Sequence, residues 1–211
     1  MRGVVGPVIH LSRALIVDFG GVLTTNVFES FRAFSEAEGL DPHAVKRLFR
    51  ERGEGLDLLR QLERGELEIP EFEERFGPLL GVRETSGMVE RLFAGVRADD
   101  AMVDAVRRVK ASGIPTGLIS NSWVMDHYTE EIRDLFDVVV ISAEVGLHKP
   151  QPEIYRLAAE QLGMEPEDCV FVDDLRENCA GAEALGMTAL LHRDSGETIA
   201  KLEELLGVPL E

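Results

Sequence analysis

Apolar and polar positions follow two different patterns along the chain. From residue 99 onwards, short apolar runs alternate with longer amphipathic segments, and glycines end many of them. Short apolar runs bounded by glycines are typical of buried strands, and longer periodic segments are typical of helices. Strands that alternate with helices predict a doubly wound parallel sheet. The expected strands are an apolar run ending at Val17 and residues 116–120, 138–141, 169–172 and 188–191; the expected helices are residues 99–111, 122–136, 151–162, 176–185 and 195–206.

The second pattern covers residues 26–95, where short amphipathic segments follow one another without a convincing strand. Asn26 is placed to cap a first helix, and Asp41 and Pro42 open a second one after Gly39. Further helices are expected over residues 56–63, 70–80 and 84–93. We therefore predict a small helical domain, residues 26–95, inserted into a core formed by residues 12–25 and 96–211. Five phenylalanines are assigned to the core of that insertion rather than to a substrate-binding wall: Phe28, Phe31, Phe34, Phe72 and Phe76.

The first strand carries the most informative residues of the chain, in the stretch ALIVDFGGVLTT. Its apolar run ends on Asp18, and Gly20 and Gly21 follow at once. An open parallel sheet binds its ligand outside the carboxyl ends of its strands, and glycines let the backbone approach that ligand closely. A carboxylate at this edge can be a nucleophile, a metal ligand or both. The alternative is that Asp18 only caps the following turn.

The charge of the chain restricts its partners. The formal net charge is −17 at pH 7, although the composition is otherwise ordinary, with 45% hydrophobic residues. Nucleic acids and anionic membranes require a basic surface, so neither is expected as a partner. A site for an anionic group must then be locally positive or contain a metal ion. The oligomeric state is left open.

The cysteines and the hydropathy predict a cytoplasmic protein. Two cysteines form no disulfide framework, which fits a reducing compartment. There is no run of 18 apolar residues, so no transmembrane helix is expected. Residues 1–11 are too short and too broken by glycine and proline for a signal peptide, and we interpret them as a loosely packed lead-in of unassigned role.

Polar residues follow the strands of the second half where a site is expected. A hydroxyl and an amide follow the second strand, a lysine lies in the loop after the third, and two carboxylates follow the fourth. Together with the carboxylate after the first strand, these groups match the needs of phosphoryl transfer: oxygen ligands for Mg²⁺, donors for phosphate oxygens and a cation to neutralise charge. They are Asp18, Ser120, Asn121, Lys149, Asp173 and Asp174.

Four segments in order resemble the motifs of the haloacid dehalogenase-like hydrolase superfamily. They are DFGGVLTT, LISNS, HKPQPEIY and VFVDDLRENCAGAEALGM, and the resemblance covers about residues 12–207. The branch most similar to this chain is the phosphatase domain of soluble epoxide hydrolase, which shares an Asn-x-Trp pattern, here Asn121 and Trp123. The resemblance implies an α/β fold, with a Rossmann-like doubly wound parallel sheet and an inserted helical cap at the C1 position.

The resemblance also implies a role for each matching position. Asp18 is the implied nucleophile, which forms an aspartyl-phosphate, and Lys149 steadies it. The implied Mg²⁺ ligands are Asp18, the carbonyl of Gly20, Asp174 and, through bound water, Asp173; the implied phosphoryl-binding residues are Ser120, Asn121 and Gly21.

One position departs from the family pattern. Phosphatases of the family usually carry a second aspartate two residues after the nucleophile as a general acid and base, and here that residue is Gly20. General acid–base catalysis contributes a factor of about 10²–10⁴. We expect a Mg²⁺-dependent phosphatase that acts on a small phosphomonoester. Either its leaving group needs little protonation, or the acid is supplied from elsewhere, such as the cap. The alternatives are an impaired, ligand- or partner-binding protein, and a hydrolase of another bond such as carbon–halogen. The pair Asp173–Asp174 argues against dehalogenation, which needs no metal ion.

Other polar and aromatic candidates are given structural interpretations. Trp123 is assigned equally to substrate contact and to core packing. His148 is interpreted as a loop residue. The arginines of the insertion are interpreted as a solvated surface: Arg50, Arg52 and Arg64.

Overall fold

The computed structural model describes residues 14–122 and 129–210. The lead-in, Trp123 and residues 123–128 of the helix expected over residues 122–136 lie outside the described residues, so the predictions made for them stay untested. Within the described residues, five parallel strands form one sheet in the order β3-β2-β1-β4-β5. The strands are β1 (Ala14–Val17), β2 (Thr116–Ser120), β3 (Val138–Ile141), β4 (Cys169–Asp173) and β5 (Thr188–Leu191). The expected doubly wound parallel sheet is confirmed.

The strand β1 lies at the centre of the sheet and explains why its sequence is continuously apolar. Ile16 is paired with Gly117 of β2 on one side and with Phe171 of β4 on the other. All four residues of β1 are fully buried, because helices cover both faces of the sheet. Since the strand order reverses between β1 and β4, the crevice outside the ends of these two strands is the expected ligand-binding position.

Helices on both faces form two separate apolar layers. The helices that cover the sheet are α6 (Asp100–Ala111), α7 (Glu130–Arg133), α8 (Ser142–Val145), α9 (Pro152–Gln161), α10 (Arg176–Glu183) and α11 (Ser195–Leu206). Leu15 and Val17 point into the layer that contains residues of α6 and α11. Ala14 and Ile16 point into the layer of α9 and α10. The alternation along β1 therefore follows the two-residue period of a strand.

The insertion between β1 and α6 is helical, as expected. It contains α1 (Val27–Ala37), α2 (Ala44–Arg50), α3 (Glu54–Glu63), α4 (Ile69–Leu80) and α5 (Met88–Phe93). The Asn26 side chain caps α1 by accepting a hydrogen bond from the Phe28 amide at 2.9 Å. A third apolar cluster, distinct from the two layers on the sheet, fills the space between these helices. It includes all five predicted phenylalanines, of which Phe28 is only partly buried.

Several helix boundaries differ from expectation for tertiary reasons. The helix expected from Glu84 begins at Met88, because the Glu73 carboxylate accepts hydrogen bonds from the amides of Gly87 and Val89 at 3.0 and 2.8 Å. In the described part of the segment expected as helix 122–136, helix extends only over α7, and Ser122 is not helical. The short helix α8 and a 3₁₀ helix over Pro166–Asp168 were not predicted. No described helix has both the length and the apolar character needed to span a membrane.

Candidate active site

A buried lysine connects the ends of the first and fourth strands. The Lys149 Nζ atom lies 2.7 Å from Oδ1 of Asp18 and 2.7 Å from Oδ2 of Asp173. Lys149 is only 4% exposed, so these ion pairs are shielded from solvent. Burial lowers the pKa of Lys149, but the two carboxylates outweigh this effect and raise the pKa above its ordinary value. The lysine therefore carries its positive charge between two carboxylates at the sheet edge.

The Asp173 carboxylate is surrounded by hydrogen-bond donors. Besides Lys149, it accepts hydrogen bonds from the Asn178 side-chain amide at 3.0 Å to each oxygen and from the Leu175 backbone amide at 2.8 Å. A carboxylate with this many donors is held in one orientation and has little remaining capacity to bind a metal ion directly. Its principal contact toward the site is the lysine.

Asp174 takes a different position from its neighbour in the sequence. Its carboxylate lies beside Gly21, where an added Cβ atom would be 2.7 Å from Oδ2 of Asp174. The φ angle of Gly21 is +77°, in the left-handed region that favours glycine. Gly21 is therefore required both for the turn after β1 and for the space that the Asp174 carboxylate occupies.

Three carboxylates cluster at this edge, and two of them, Asp18 and Asp174, remain free of the amide donors that surround Asp173 and fit the direct ligands of a Mg²⁺ site. Asp18, Asp173 and Asp174 are buried, and each offers an oxygen atom within 4.8 Å of the others. Burial, the largest effect on both groups, raises the pKa of Asp18 to about 7 and that of Asp174 to about 6. One lysine does not compensate three buried carboxylates. A divalent cation with a preference for oxygen ligands would supply the missing positive charge.

Asn121 holds the loop that carries the lysine. Its side-chain amide donates to the Lys149 carbonyl at 2.9 Å, and its side-chain oxygen accepts from the Lys149 amide at 2.8 Å. The end of β2 and the loop after α8 are thus joined by a reciprocal pair of hydrogen bonds. Ser120, at the end of β2, is 4% exposed and lines the adjacent cavity.

A cavity of about 730 Å³ lies between the sheet edge and the helical insertion. Its floor is polar and includes Asp18, Ser120, Lys149 and Asp174. Its opposite wall is apolar and comes from α1, α2, α3 and the end of α5. That wall includes Val27, Phe28, Phe31, Phe49, Leu59 and Phe93.

Two of the five predicted core phenylalanines, Phe28 and Phe31, therefore also line the cavity, whereas Phe34, Phe72 and Phe76 are not among its lining residues. Arg50, interpreted from the sequence as a solvated residue, is exposed but lines the cavity with its guanidinium 5.1 Å from the centre of the Phe28 ring. Arg64 instead pairs with Glu66 at 2.9 Å.

Comparison with known proteins agrees with this fold. A family model described as haloacid dehalogenase-like hydrolase matches residues 12–186. The chain belongs to the haloacid dehalogenase-like hydrolase family. It is 31% identical to the sesquiterpene phosphatase astK of Aspergillus oryzae over 153 residues, which cover 70% of this chain and 78% of that protein. Its relatives in the family thus include a phosphatase of similar length.

Other relatives are longer proteins. The chain is 28% identical to mouse acyl-CoA dehydrogenase family member 10 over 94% of its own length, and 33% identical to pig bifunctional epoxide hydrolase 2 over 52%. It spans about a fifth of each of those proteins, 19% and 21% respectively.

Solved structures share the fold. A predicted HAD-like family hydrolase from Porphyromonas gingivalis matches with a TM-score of 0.71 and 24% identity, covering 91% of this chain and 98% of that one. A haloacid dehalogenase family enzyme from Bacteroides thetaiotaomicron, crystallised with magnesium and inorganic phosphate, matches with a TM-score of 0.65 and 21% identity, covering 86% and 94%.

The sequence gives little indication that two further residues, Glu63 and His148, line the cavity. Glu63, the last residue of α3, lines the cavity, and no local pattern distinguishes it from the many other glutamates of the insertion. His148 also lines the cavity, and its Nδ1 atom is buried without a hydrogen-bond partner. A lysine neighbour was the only signal for His148. The position of Glu63 in the cavity depends on how α3 docks on the sheet.

Proposed function

We propose that this haloacid dehalogenase-like hydrolase is a Mg²⁺-dependent phosphatase that acts through an aspartyl-phosphate on Asp18. The observation that carries the proposal is the buried Lys149, shared by Asp18 and Asp173 at the floor of a cavity large enough for an organic phosphate. A nucleophilic carboxylate beside a fixed cation and an acidic metal-binding set is suited to in-line phosphoryl transfer.

Each residue has a stated task in this proposal. Asp18 attacks phosphorus, and Lys149 orients it and neutralises charge on the transferring oxygens. Asp173 anchors Lys149. Asp18, Asp174 and the Gly20 carbonyl would hold Mg²⁺, with Asp173 acting through bound water, and the metal ion would supply further neutralisation of phosphoryl charge. Backbone and hydroxyl groups at the strand ends complete the phosphoryl-binding set: Ser120, Asn121 and Gly21.

The helical insertion acts as the cap of this enzyme. We assign residues 26–95 to the cap domain and residues 12–25 and 96–211 to the catalytic core. The assignment is supported by the separate apolar cluster of the insertion and by the cavity between it and the sheet. Water excluded from this cavity cannot weaken the electrostatic contacts at its floor.

The apolar wall favours a substrate with an apolar organic group. Aromatic and aliphatic side chains from the cap face the polar floor, so the phosphoryl group would lie at Asp18 and the organic group would contact residues such as Phe28 and Leu59. The similarity to a sesquiterpene phosphatase supports the same substrate class, a small monophosphate ester of an apolar alcohol.

A second candidate function follows from Gly20. Because this position lacks the carboxyl that phosphatases of the family usually carry, the chain could bind a phosphorylated ligand without turning it over. A Gly20→Asp variant separates the two. A large gain of phosphatase activity over an almost inactive parent supports the binding role, whereas an active parent supports the enzyme.

The phosphatase proposal is tested with a panel of phosphate esters in the presence of Mg²⁺ and of a chelator. We expect turnover that depends on Mg²⁺ and a loss of at least about 10³-fold in Asp18→Asn. Asp57→Asn, an exposed residue of α3 outside the cavity lining, is the control and retains activity. Absence of Mg²⁺-dependent turnover across the panel contradicts the proposal.

A further inference from the structure

The cavity contains one carboxyl group that is suited to replace the acid missing at Gly20. Apart from Asp18 and Asp174, the carboxyl residues among its described lining are Glu63, Asp100, Glu131 and Glu177. The last three are exposed to solvent, whereas Glu63 is partly buried. Because proton transfer to a leaving group requires a donor within reach of the reacting atoms, Glu63, which lines the cavity and is less exposed than the other three, is the candidate donor.

The backbone around Glu63 is fixed against the catalytic edge. The Ser142 hydroxyl, which is fully buried, donates to the Glu63 carbonyl at 2.6 Å and accepts from the Ser122 amide at 3.0 Å. Two residues later, a Cβ atom at Gly65 would lie 3.0 Å from the Ala143 carbonyl oxygen, so the chain passes closely over α8. The end of α3 is therefore docked directly beside the segment that follows β2.

The electrostatic surroundings of Glu63 belong to the same site. The charged groups that act on its carboxyl are Lys149, Arg60, Asp18 and Arg64. Burial has the largest effect and raises the pKa of Glu63 to about 7, against the lowering effect of the three cations. A carboxyl with this pKa exchanges its proton near neutral pH, as a group that serves alternately as acid and base must do.

We propose that Glu63 is the general acid and base of the phosphatase reaction, supplied by the cap in place of a side chain at position 20. The inference rests on the proposed function. In the first half-reaction, an Asp18 oxygen attacks phosphorus, the bond from phosphorus to the ester oxygen breaks, and the Glu63 proton passes to that oxygen, which leaves as an alcohol. In the second, the Glu63 carboxylate accepts a proton from a water molecule whose oxygen attacks phosphorus. The bond to Asp18 breaks, phosphate leaves, and both residues return to their starting forms.

The first test compares leaving groups in a Glu63→Gln variant. An alkyl phosphate requires protonation of its leaving oxygen, whereas p-nitrophenyl phosphate leaves without it. We expect the variant to lose about 10²–10⁴-fold in the single-turnover rate on the alkyl phosphate and less than about 10-fold on p-nitrophenyl phosphate. Since water attack also lacks its base, p-nitrophenol appears in a stoichiometric burst and phosphate remains on Asp18.

The controls separate catalysis from structure. Glu54→Gln removes an exposed carboxyl of the same helix that does not line the cavity, and it leaves both rates and the absence of a burst unchanged. If the role of Glu63 is purely structural, Glu63→Gln lowers the rates on both substrates equally and gives no burst. That result overturns the proposal. The other candidate proton donor is His148, whose Nδ1 atom is buried without a hydrogen-bond partner. If His148→Asn shows the leaving-group difference and Glu63→Gln does not, the proposal is also overturned.

A rescue experiment completes the test. A Cβ atom at Gly20 would meet only the Val27 Cγ1 atom, at an ordinary 3.5 Å, so an aspartate can be introduced there. In the Glu63→Gln background, we expect Gly20→Asp to raise the rate on the alkyl phosphate at least about 10-fold. Failure of the wild-type chain to turn over any ester contradicts the proposed function itself. An active wild type with an unaffected Glu63→Gln contradicts only the role of Glu63.

Discussion

The two walls of the cavity differ in how their residues are held. The floor consists of strand ends, where Lys149 makes two ion pairs of 2.7 Å and Asp173 accepts four hydrogen bonds. The opposite wall consists of short helices that present phenylalanines and one partly buried carboxyl, Glu63. The floor is fixed by directional polar contacts, whereas the wall is fixed by apolar packing. We therefore expect changes in the floor to cost both stability and activity, and changes in the wall to affect substrates selectively.

The largest effect is expected for Lys149→Met. Removal of one partner from a buried ion pair leaves the Asp18 and Asp173 carboxylates uncompensated, which costs about 3–5 kcal/mol of unfolding free energy. The matched control is Lys110→Met, because Lys110 forms an ion pair with Asp137 at 3.3 Å that is partly exposed. A surface pair contributes about 0–1 kcal/mol. Urea denaturation of both variants measures the difference, and equal losses would contradict the distinction between the floor and the surface.

The next effect concerns the pH dependence of stability in Glu63→Gln. The pKa of Glu63 is raised from 4.5 to about 7 in the folded state. Glu63 therefore holds its proton more tightly in the folded chain than in the unfolded chain. The stability contributed by this group is present below about pH 4.5 and is lost as the pH rises toward 7. Glutamine does not titrate, so the variant should be close to the wild type in stability at pH 4.5 and more stable by about 3 kcal/mol at pH 8.

Chemical denaturation in a metal-free buffer at the two pH values measures this difference. A constant difference between the proteins across this pH range would show that Glu63 is not desolvated. The sign also distinguishes this residue from Lys149, whose removal destabilises the protein.

A smaller effect is expected from the neighbouring glycines. Gly21→Ala forces a Cβ atom into the Asp174 carboxylate at 2.7 Å and strains a φ of +77°, which should cost about 1–2 kcal/mol and weaken Mg²⁺ binding at least 10-fold. Gly20→Ala meets only Val27 at 3.5 Å and is the control. Calorimetric titration with Mg²⁺ measures both variants, and equal affinities would exclude Asp174 from the metal site.

The smallest effect is expected on the apolar wall. Phe28→Ala removes a partly buried ring that lines the cavity, so KM for an alkyl phosphate should rise about 5–10-fold while inhibition by inorganic phosphate stays unchanged. Leu79→Ala, at an exposed leucine that does not line the cavity, is the control. Equal effects on the alkyl ester and on inorganic phosphate would show that the ring supports the site as a whole rather than binding the organic group.

The same contrast explains what the sequence could predict. Asp18, Asp173 and Asp174 directly end or follow buried strands, and parallel strands bring their ends together, so their proximity follows from the chain order. The positions of Glu63 and Glu73 depend on docking between helices, and the Glu73 contacts that start α5 at Met88 join residues without any local signal. Asn121 lies within the family motif LISNS, but the motif does not predict its reciprocal hydrogen bonds to the Lys149 backbone, which the structure shows.

The hydroxyl of Ser142 connects the two walls, since it bonds both the carbonyl that ends α3 and the amide that follows β2. The proposed proton donor, Glu63, and the proposed nucleophile, Asp18, belong to regions with separate apolar cores. A fragment that folds only the sheet would keep the lysine and its two carboxylates but have no means of protonating an alcohol. Turnover of alkyl esters thus reports that the two regions are joined, whereas release of p-nitrophenol reports the sheet alone.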